Sequence, residues 1–181
     1  MRDLHAARTA PLIAASGLVQ PLPPATRYIL RGGPEIRVAA EAALGVGIPA
    51  RACRASAQGE RAALWLGPDE WLLIAPEAAA SDVGAALSAA LAGQPYSLVD
   101  VGHRQMAFTV SGPQAALLLA AGCALDLDDS AFPVDMCTRT TLAKAEVVLW
   151  RTAPEVFRVE VWRSFAAYLS QYLAEAARGM I

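Results

Sequence analysis

Two stretches of this chain read alike: Tyr28-Ile29-Leu30-Arg31-Gly32-Gly33-Pro34 and Phe108-Thr109-Val110-Ser111-Gly112-Pro113. Each runs from strand-forming residues through glycine to proline, and Gly33 and Gly112 stand 79 residues apart. Proline at the first helical position loses nothing, because its missing N–H would have no partner there, and glycine lets the chain turn sharply before it. Helices are therefore predicted over Glu35 to Leu44 and Gln114 to Ala121, ending at Gly45 and Gly122, which suit the left-handed position after a helix.

The repeat continues outward. Ala63-Leu64-Trp65-Leu66, a turn at Gly67-Pro68-Asp69-Glu70 and Trp71-Leu72-Leu73-Ile74 match Val147-Val148-Leu149-Trp150, a turn at Thr152-Ala153-Pro154-Glu155 and Val156 to Val161. Branched and aromatic residues either side of a proline-containing turn signal a hairpin, and Phe157, Val159 and Val161 alternate as one buried face should. Each hairpin feeds a helix: Val83 to Leu91, capped by Ser81 or Asp82, and Phe165 to Ala177, capped by Ser164. In the latter, Phe165, Leu169, Tyr172 and Leu173 recur at helical spacing.

An extra strand is expected before each unit, within Pro11 to Val19 and at Tyr96 to Val101, with Gln20 to Pro24 as a stiff linker. The reading is an α+β fold of two β-β-α-β-β-α units, mostly antiparallel, with helices on one face. Residues 1–25 form an arm and linker, 26–95 the first half and 96–181 the second, within one folded unit.

Composition narrows the function. The 181 residues are 55% hydrophobic and 18% charged, with mean hydropathy +0.36, which excludes a disordered or highly solvated chain. Apolar surface on such a chain points to a protein partner. Fifteen Lys and Arg against 17 Asp and Glu leave a charge of −2, too little basic field for nucleic acid or an anionic membrane. The apolar runs are too short to span a bilayer, Asp3, His5 and Arg8 interrupt any signal-peptide pattern, and the expected location is the cytoplasm.

Catalytic motifs are missing: no phosphate-binding loop, dinucleotide fingerprint, nucleophile elbow or His-Glu-x-x-His. Cys53, Cys123 and Cys137 have no metal-ligand spacing and read as buried thiols. Asp126-Leu127-Asp128-Asp129-Ser130 lacks the alternating oxygens and central glycine of a calcium loop, so no metal is expected. The polar group Asp100, His103, Arg104 and Gln105 sits between two strands. It reads as a hairpin turn tied by Asp100 and Arg104, with His103 at a surface or interface. Glu146 and Glu160 are expected to pair with Arg151, Arg158 or Arg163, and Trp65, Trp71, Trp150 and Trp162 to serve as core or interface anchors.

Three strings carry a family resemblance: Leu98-Val99-Asp100-Val101-Gly102-His103-Arg104-Gln105, Phe132-Pro133-Val134-Asp135-Met136-Cys137-Thr138-Arg139-Thr140-Thr141-Leu142-Ala143-Lys144-Ala145-Glu146-Val147-Val148-Leu149-Trp150-Arg151, and Val161-Trp162-Arg163-Ser164-Phe165. With Gly67-Pro68-Asp69-Glu70-Trp71-Leu72-Leu73, they resemble the gamma subunit of heterotetrameric bacterial sarcosine oxidase from about Arg27 onward. Gly102 departs from the serine expected there.

The resemblance implies an alpha-beta-gamma-delta complex that demethylates sarcosine oxidatively to glycine, forms hydrogen peroxide and passes the one-carbon unit to tetrahydrofolate. It places FAD, FMN and NAD in the alpha and beta chains, with no cofactor and no catalytic residue in this one, whose main partner would be the alpha chain. The implied fold is similar to the folate-binding fold of the glycine cleavage T-protein, itself a duplication. That family's Asp-Val-Ser-His motif corresponds to Asp100-Val101-Gly102-His103, and its carboxylate stretch to Leu142-Ala143-Lys144-Ala145-Glu146. The glycines of that stretch are gone and Lys144 narrows the approach, which leaves Glu146 and Asp100 as candidate folate contacts. Asp100, His103, Arg104, Trp150 and Trp162 are the candidate interface or turn-organising residues. The alternatives are a stand-alone folate-binding or one-carbon-transfer protein and a structural homo-oligomer.

Overall fold

The computed structural model describes residues 18–179, and the expected strand in Pro11 to Val19 falls mostly outside them. The elements are β1 (Val19–Pro21), β2 (Ala25–Gly32), α1 (Arg37–Leu44), β3 (Ala55–Gln58), β4 (Arg61–Gly67), β5 (Glu70–Pro76), α2 (Ala80–Ala90), β6 (Tyr96–Asp100) and β7 (Gln105–Ser111). They continue with α3 (Ala115–Ala120), β8 (Cys137–Leu142), β9 (Ala145–Ala153), β10 (Val156–Trp162) and α4 (Arg163–Arg178). Each repeat is thus strand, helix, three strands, helix. The strand that follows the first helix, β3 in one copy and β8 in the other, is additional to the predicted hairpin and lies at the edge of its sheet.

The strands form two five-stranded sheets, ordered β3-β4-β5-β2-β6 and β1-β7-β10-β9-β8. Their positions correspond one for one, with β2 matching β7 and the β4–β5 hairpin matching β9–β10. The edge strands reveal an exchange. β6, which leads into the second repeat, pairs antiparallel with β2 of the first (Leu30 opposite Leu98). β1, which leads into the first repeat, pairs antiparallel with β7 of the second (Val19 opposite Val110). The expected linker Gln20 to Pro24 therefore contributes two of its residues to a strand, and Leu22 N–H donates to Ala107 O at 2.8 Å.

Two compact units result. One comprises Ala25–Gly102 and Asp135–Thr138; the other comprises His103–Val134 and residues 18–24 and 139–179. The boundary between the compact units falls after Gly102, because β6 stays with the sheet it completes.

In the Ala25–Gly102 unit, α1 and α2 cover one sheet face. Ile36, Ala40 and Leu44 meet Val83, Leu87 and Leu91 over Leu30, Ala63, Trp71 and Leu73. Trp71 is 1% exposed, and its indole N–H finds Pro49 O at 2.8 Å, so the buried donor is satisfied. Pro34 opens a single 3₁₀ turn before α1, and Gly45, at φ 75°, closes the helix in the left-handed conformation predicted for it. Neither α2 nor α4 has the side-chain cap expected from Ser81, Asp82 or Ser164; each begins on residues already held by the preceding strand or turn.

In the other unit, Phe157, Val159 and Val161 are buried as their alternation predicts, and α4 packs on β7 and β10. Leu169 and Leu173 of α4 are fully buried, each worth roughly 1.5–3 kcal/mol of transfer free energy. Gly122 does a different task from Gly45. It is not left-handed; a Cβ there would lie 2.5 Å from the Tyr172 hydroxyl, which donates to Ala121 O at 2.8 Å. The missing side chain is what lets α4 approach the end of α3.

The long connection from α3 to β8 is held by one cation. Arg151, 5% exposed on β9, donates from Nη1 to Leu127 O (3.2 Å) and Phe132 O (2.9 Å), and from Nε to Pro154 O (3.0 Å). Its Nη2 meets Asp129 at 2.7 Å, and the guanidinium lies 5.0 Å from the Phe157 ring centroid. Arg151→Met keeps the stem and leaves those carbonyls without donors. With charge-assisted bonds at stake, we expect a loss of roughly 3 kcal/mol, or about 6–12 °C in melting temperature. A calorimetric scan showing less than about 2 °C would contradict this role for Arg151.

Candidate functional site

The Asp100–Gln105 segment is not a hairpin. β6 and β7 belong to different sheets, and residues 102–104 form the turn between them. Asp100 Oδ1 accepts the Gly102 N–H at 2.8 Å, so the aspartate organises the turn through backbone rather than through Arg104. A glycine suits the spot: a Cβ at Gly102 would sit 3.2 Å from that same carboxylate oxygen and 3.4 Å from Ala25 O. The Asp100 charge also acts on Tyr28, its cross-strand partner, whose phenol is pushed above its ordinary range first by burial and then by that carboxylate.

His103 and Arg104 are both exposed. Arg104 turns to Trp162, with its guanidinium carbon 4.9 Å from the indole centroid, and Arg104 O accepts the Arg163 N–H at 2.8 Å. The end of β10 and the start of α4 are thereby fixed to the start of β7. Trp162 is 42% exposed, whereas Trp150 is buried, with its indole N–H unpartnered among the described residues. Gln105 Oε1, opposite Trp162 in the β7–β10 register, is another buried atom without a partner.

The other candidate groups are dispersed. Glu146 stands exposed near the start of β9, two residues after the tight β8–β9 turn at Ala143 and Lys144, where Ala143 adopts φ 53°. It belongs to the unit that does not contain Asp100, so the two candidate folate carboxylates sit on separate sheets. Glu160 is buried and takes Arg158 at 2.8 Å, as expected, while Arg151 goes to Asp129.

The aspartate-rich loop folds on itself. Asp126 accepts the Asp128 N–H, and Asp128 accepts both the N–H and the hydroxyl of Ser130, which hold its carboxyl below the usual range. Among the described residues no group of three or more His, Cys, Asp or Glu is placed to hold a metal ion, and no helix is long and apolar enough to cross a membrane.

The thiols differ among themselves. Cys137 is fully buried, burial pushes its pKa up to about 12, and its thiol donates to Trp65 O at 3.5 Å. Cys53, expected to be buried, is half-exposed instead, at φ 57° beside the Arg54–Met136 bridge.

One feature escaped the sequence reading. Phe165 and Tyr168 are 40% and 36% exposed, so Phe165 does not belong to the buried face of α4, which is Ala166, Leu169, Ser170, Leu173, Ala174 and Ala177. The helix also exposes Ser164, Gln171, Glu175 and Arg178, so Phe165 and Tyr168 stand apolar on its solvent side.

Comparison with known proteins places the chain. Residues 31–179 match a family model described as sarcosine oxidase, gamma subunit family. This chain belongs to the sarcosine oxidase gamma subunit family. The sarcosine oxidase subunit gamma of Arthrobacter sp is 39% identical over 136 residues, and that of Corynebacterium sp. (strain P-1) 38%. Each alignment covers about three quarters of this chain and 66% of the relative's length.

A chain of the heterotetrameric sarcosine oxidase from Corynebacterium sp. U-96, solved with pyrrole 2-carboxylate, superposes with a TM-score of 0.86 at 32% identity. The match covers 99% of this chain and 95% of that one. The glycine cleavage system aminomethyltransferase T from Bartonella henselae shares the fold, with a TM-score of 0.67 at 14% identity over 88% of this chain and 46% of its own. The expected T-protein-like α+β architecture is thereby established, with one strand more per repeat than the sequence suggested.

A labelling experiment separates the thiols. At about pH 8, iodoacetamide should modify Cys53 in the native protein and leave Cys137 untouched until denaturant is added, because only the thiolate reacts. Equal labelling of both in peptide mass spectrometry would contradict the burial of Cys137.

Proposed function

We propose that this chain is the gamma subunit of a heterotetrameric sarcosine oxidase and is itself non-catalytic, acting to stabilise the alpha chain within an alpha-beta-gamma-delta assembly. The observation that carries this reading is the near end-to-end likeness to a chain of a heterotetrameric sarcosine oxidase, at 99% and 95% coverage of the two chains. It is supported by the employment of the polar groups: Asp100 holds a turn, Arg104 holds Trp162 and Arg151 holds a loop.

In this reading the assembly oxidises the N-methyl group of sarcosine, yields glycine and hydrogen peroxide and hands the one-carbon unit to tetrahydrofolate in the cytoplasm. FAD, FMN and NAD are carried by the alpha and beta chains. This chain's contribution is architectural: two rigid sheets that present a surface to a partner.

The test is to co-express the alpha, beta and delta chains with and without this one. With it, a soluble complex that turns over sarcosine is expected; without it, the alpha chain should aggregate or the complex should unfold at lower temperature, as an obligate subunit requires. Normal yield, stability and turnover in its absence would overturn the proposal.

A further inference from the structure

We infer that the outward face of α4, together with the groove it shares with α3, is the surface on which a different chain of the assembly docks, and that this chain presents an uncharged, apolar segment. The inference rests on the subunit reading above and locates its interface.

The argument starts from helical spacing. Phe165, Tyr168, Tyr172 and Ala176 follow at intervals of three, four and four residues, which puts them on one stripe along α4. Phe165 and Tyr168 are exposed, and Tyr172 stacks on Tyr168 with ring centroids 6.4 Å apart. At its far end the stripe enters a groove of about 430 Å³, lined by Ala176 with Leu117, Ala120, Ala121 and Gly179. Leu117 is 65% exposed, a large aliphatic side chain at the mouth of an apolar groove.

Charge is placed only at the margins. Residues 164–174 contain no Asp, Glu, Lys or Arg. At the start of the stripe Arg104 lies on the Trp162 ring, and at its end Arg178 pairs with Glu175 at 2.8 Å. An aromatic, charge-free centre with charge held at its margins is the anatomy of a protein interface, with Phe and Tyr as its anchors. A charged or phosphorylated ligand would find no counter-charge on it. A second copy of this chain is disfavoured as occupant because the chain it matches nearly end to end comes from an assembly titled heterotetrameric.

The test uses the co-expressed four-chain complex. Phe165→Glu, Tyr168→Glu and Leu117→Glu each place a carboxylate on the face, on two different helices, while Val38→Glu does so on α1, where the side chain is 78% exposed. The three face variants should weaken retention in the complex about tenfold or more, as for anchor residues, and Val38→Glu should not. Melting of each purified variant within about 2 °C of the parent shows that the fold is intact.

Three outcomes would overturn the inference. Retention of all three face variants at the parent level removes the face from the interface. Loss of retention by Val38→Glu alone moves the interface to α1. A purified chain that is dimeric until Tyr168→Glu is introduced makes the second copy the occupant. Failure of the parent chain itself to join the complex would instead defeat the subunit reading.

Discussion

Each sheet is completed by a strand that belongs, in sequence, to the other half. β1 closes the edge of the sheet built on β7, and β6 closes the edge of the sheet built on β2. An edge without its strand leaves a row of unpaired N–H and C=O groups, so these two pairings cap the sheets as well as lengthen them. Leu22 N–H to Ala107 O and Val101 N–H to Arg27 O extend each pairing beyond its strand. Since Asp135–Thr138 also belongs to the unit of Ala25–Gly102, where Met136 bridges Arg54, the chain passes between units four times. Neither unit is a continuous piece of sequence, and no single cut separates them.

The duplicated plan was legible because its signals are local and strong. Gly-Pro steps, proline turns between branched and aromatic runs, and the alternation of Phe157, Val159 and Val161 each fix an element without reference to anything distant. β3 was not legible: Ala55-Ser56-Ala57-Gln58 has low strand propensity and is recruited by its pairing to β4. β8 carried more signal, with three threonines and buried Cys137 and Leu142 at its ends, and Asp135, at φ 64°, marks the turn before it. The edge exchange lay beyond sequence reading altogether, since no local pattern states which sheet an edge strand joins.

The candidate site divides the same way. Asp100 as a turn organiser could be read from its position two residues before a glycine, because a short carboxylate caps the amide two residues on. Arg104 could not, since its partner Trp162 is 58 positions away. The different tasks of Gly45 and Gly122 were equally hidden. Both follow a helix, but only Gly45 uses the left-handed conformation; Gly122 serves by omitting a side chain where Tyr172 closes in. On α4 the helical spacing of Phe165, Leu169, Tyr172 and Leu173 marked the helix, and Leu169 and Leu173 meet the core while Phe165 stays exposed.

The β1–β7 pairing also sets an order of events during synthesis. Val19 leaves the ribosome about 90 residues before Val110, so at roughly 5–20 residues per second β1 waits about 5–20 s for its partner. Within that interval β2, β4, β5 and β6 emerge in turn and form a sheet with open edges of its own. The segment 20–24, Gln-Pro-Leu-Pro-Pro, offers those edges only two backbone donors, because three of its five residues lack an N–H. Its prolines thus limit the ladder hydrogen bonds that this segment can donate to any sheet edge.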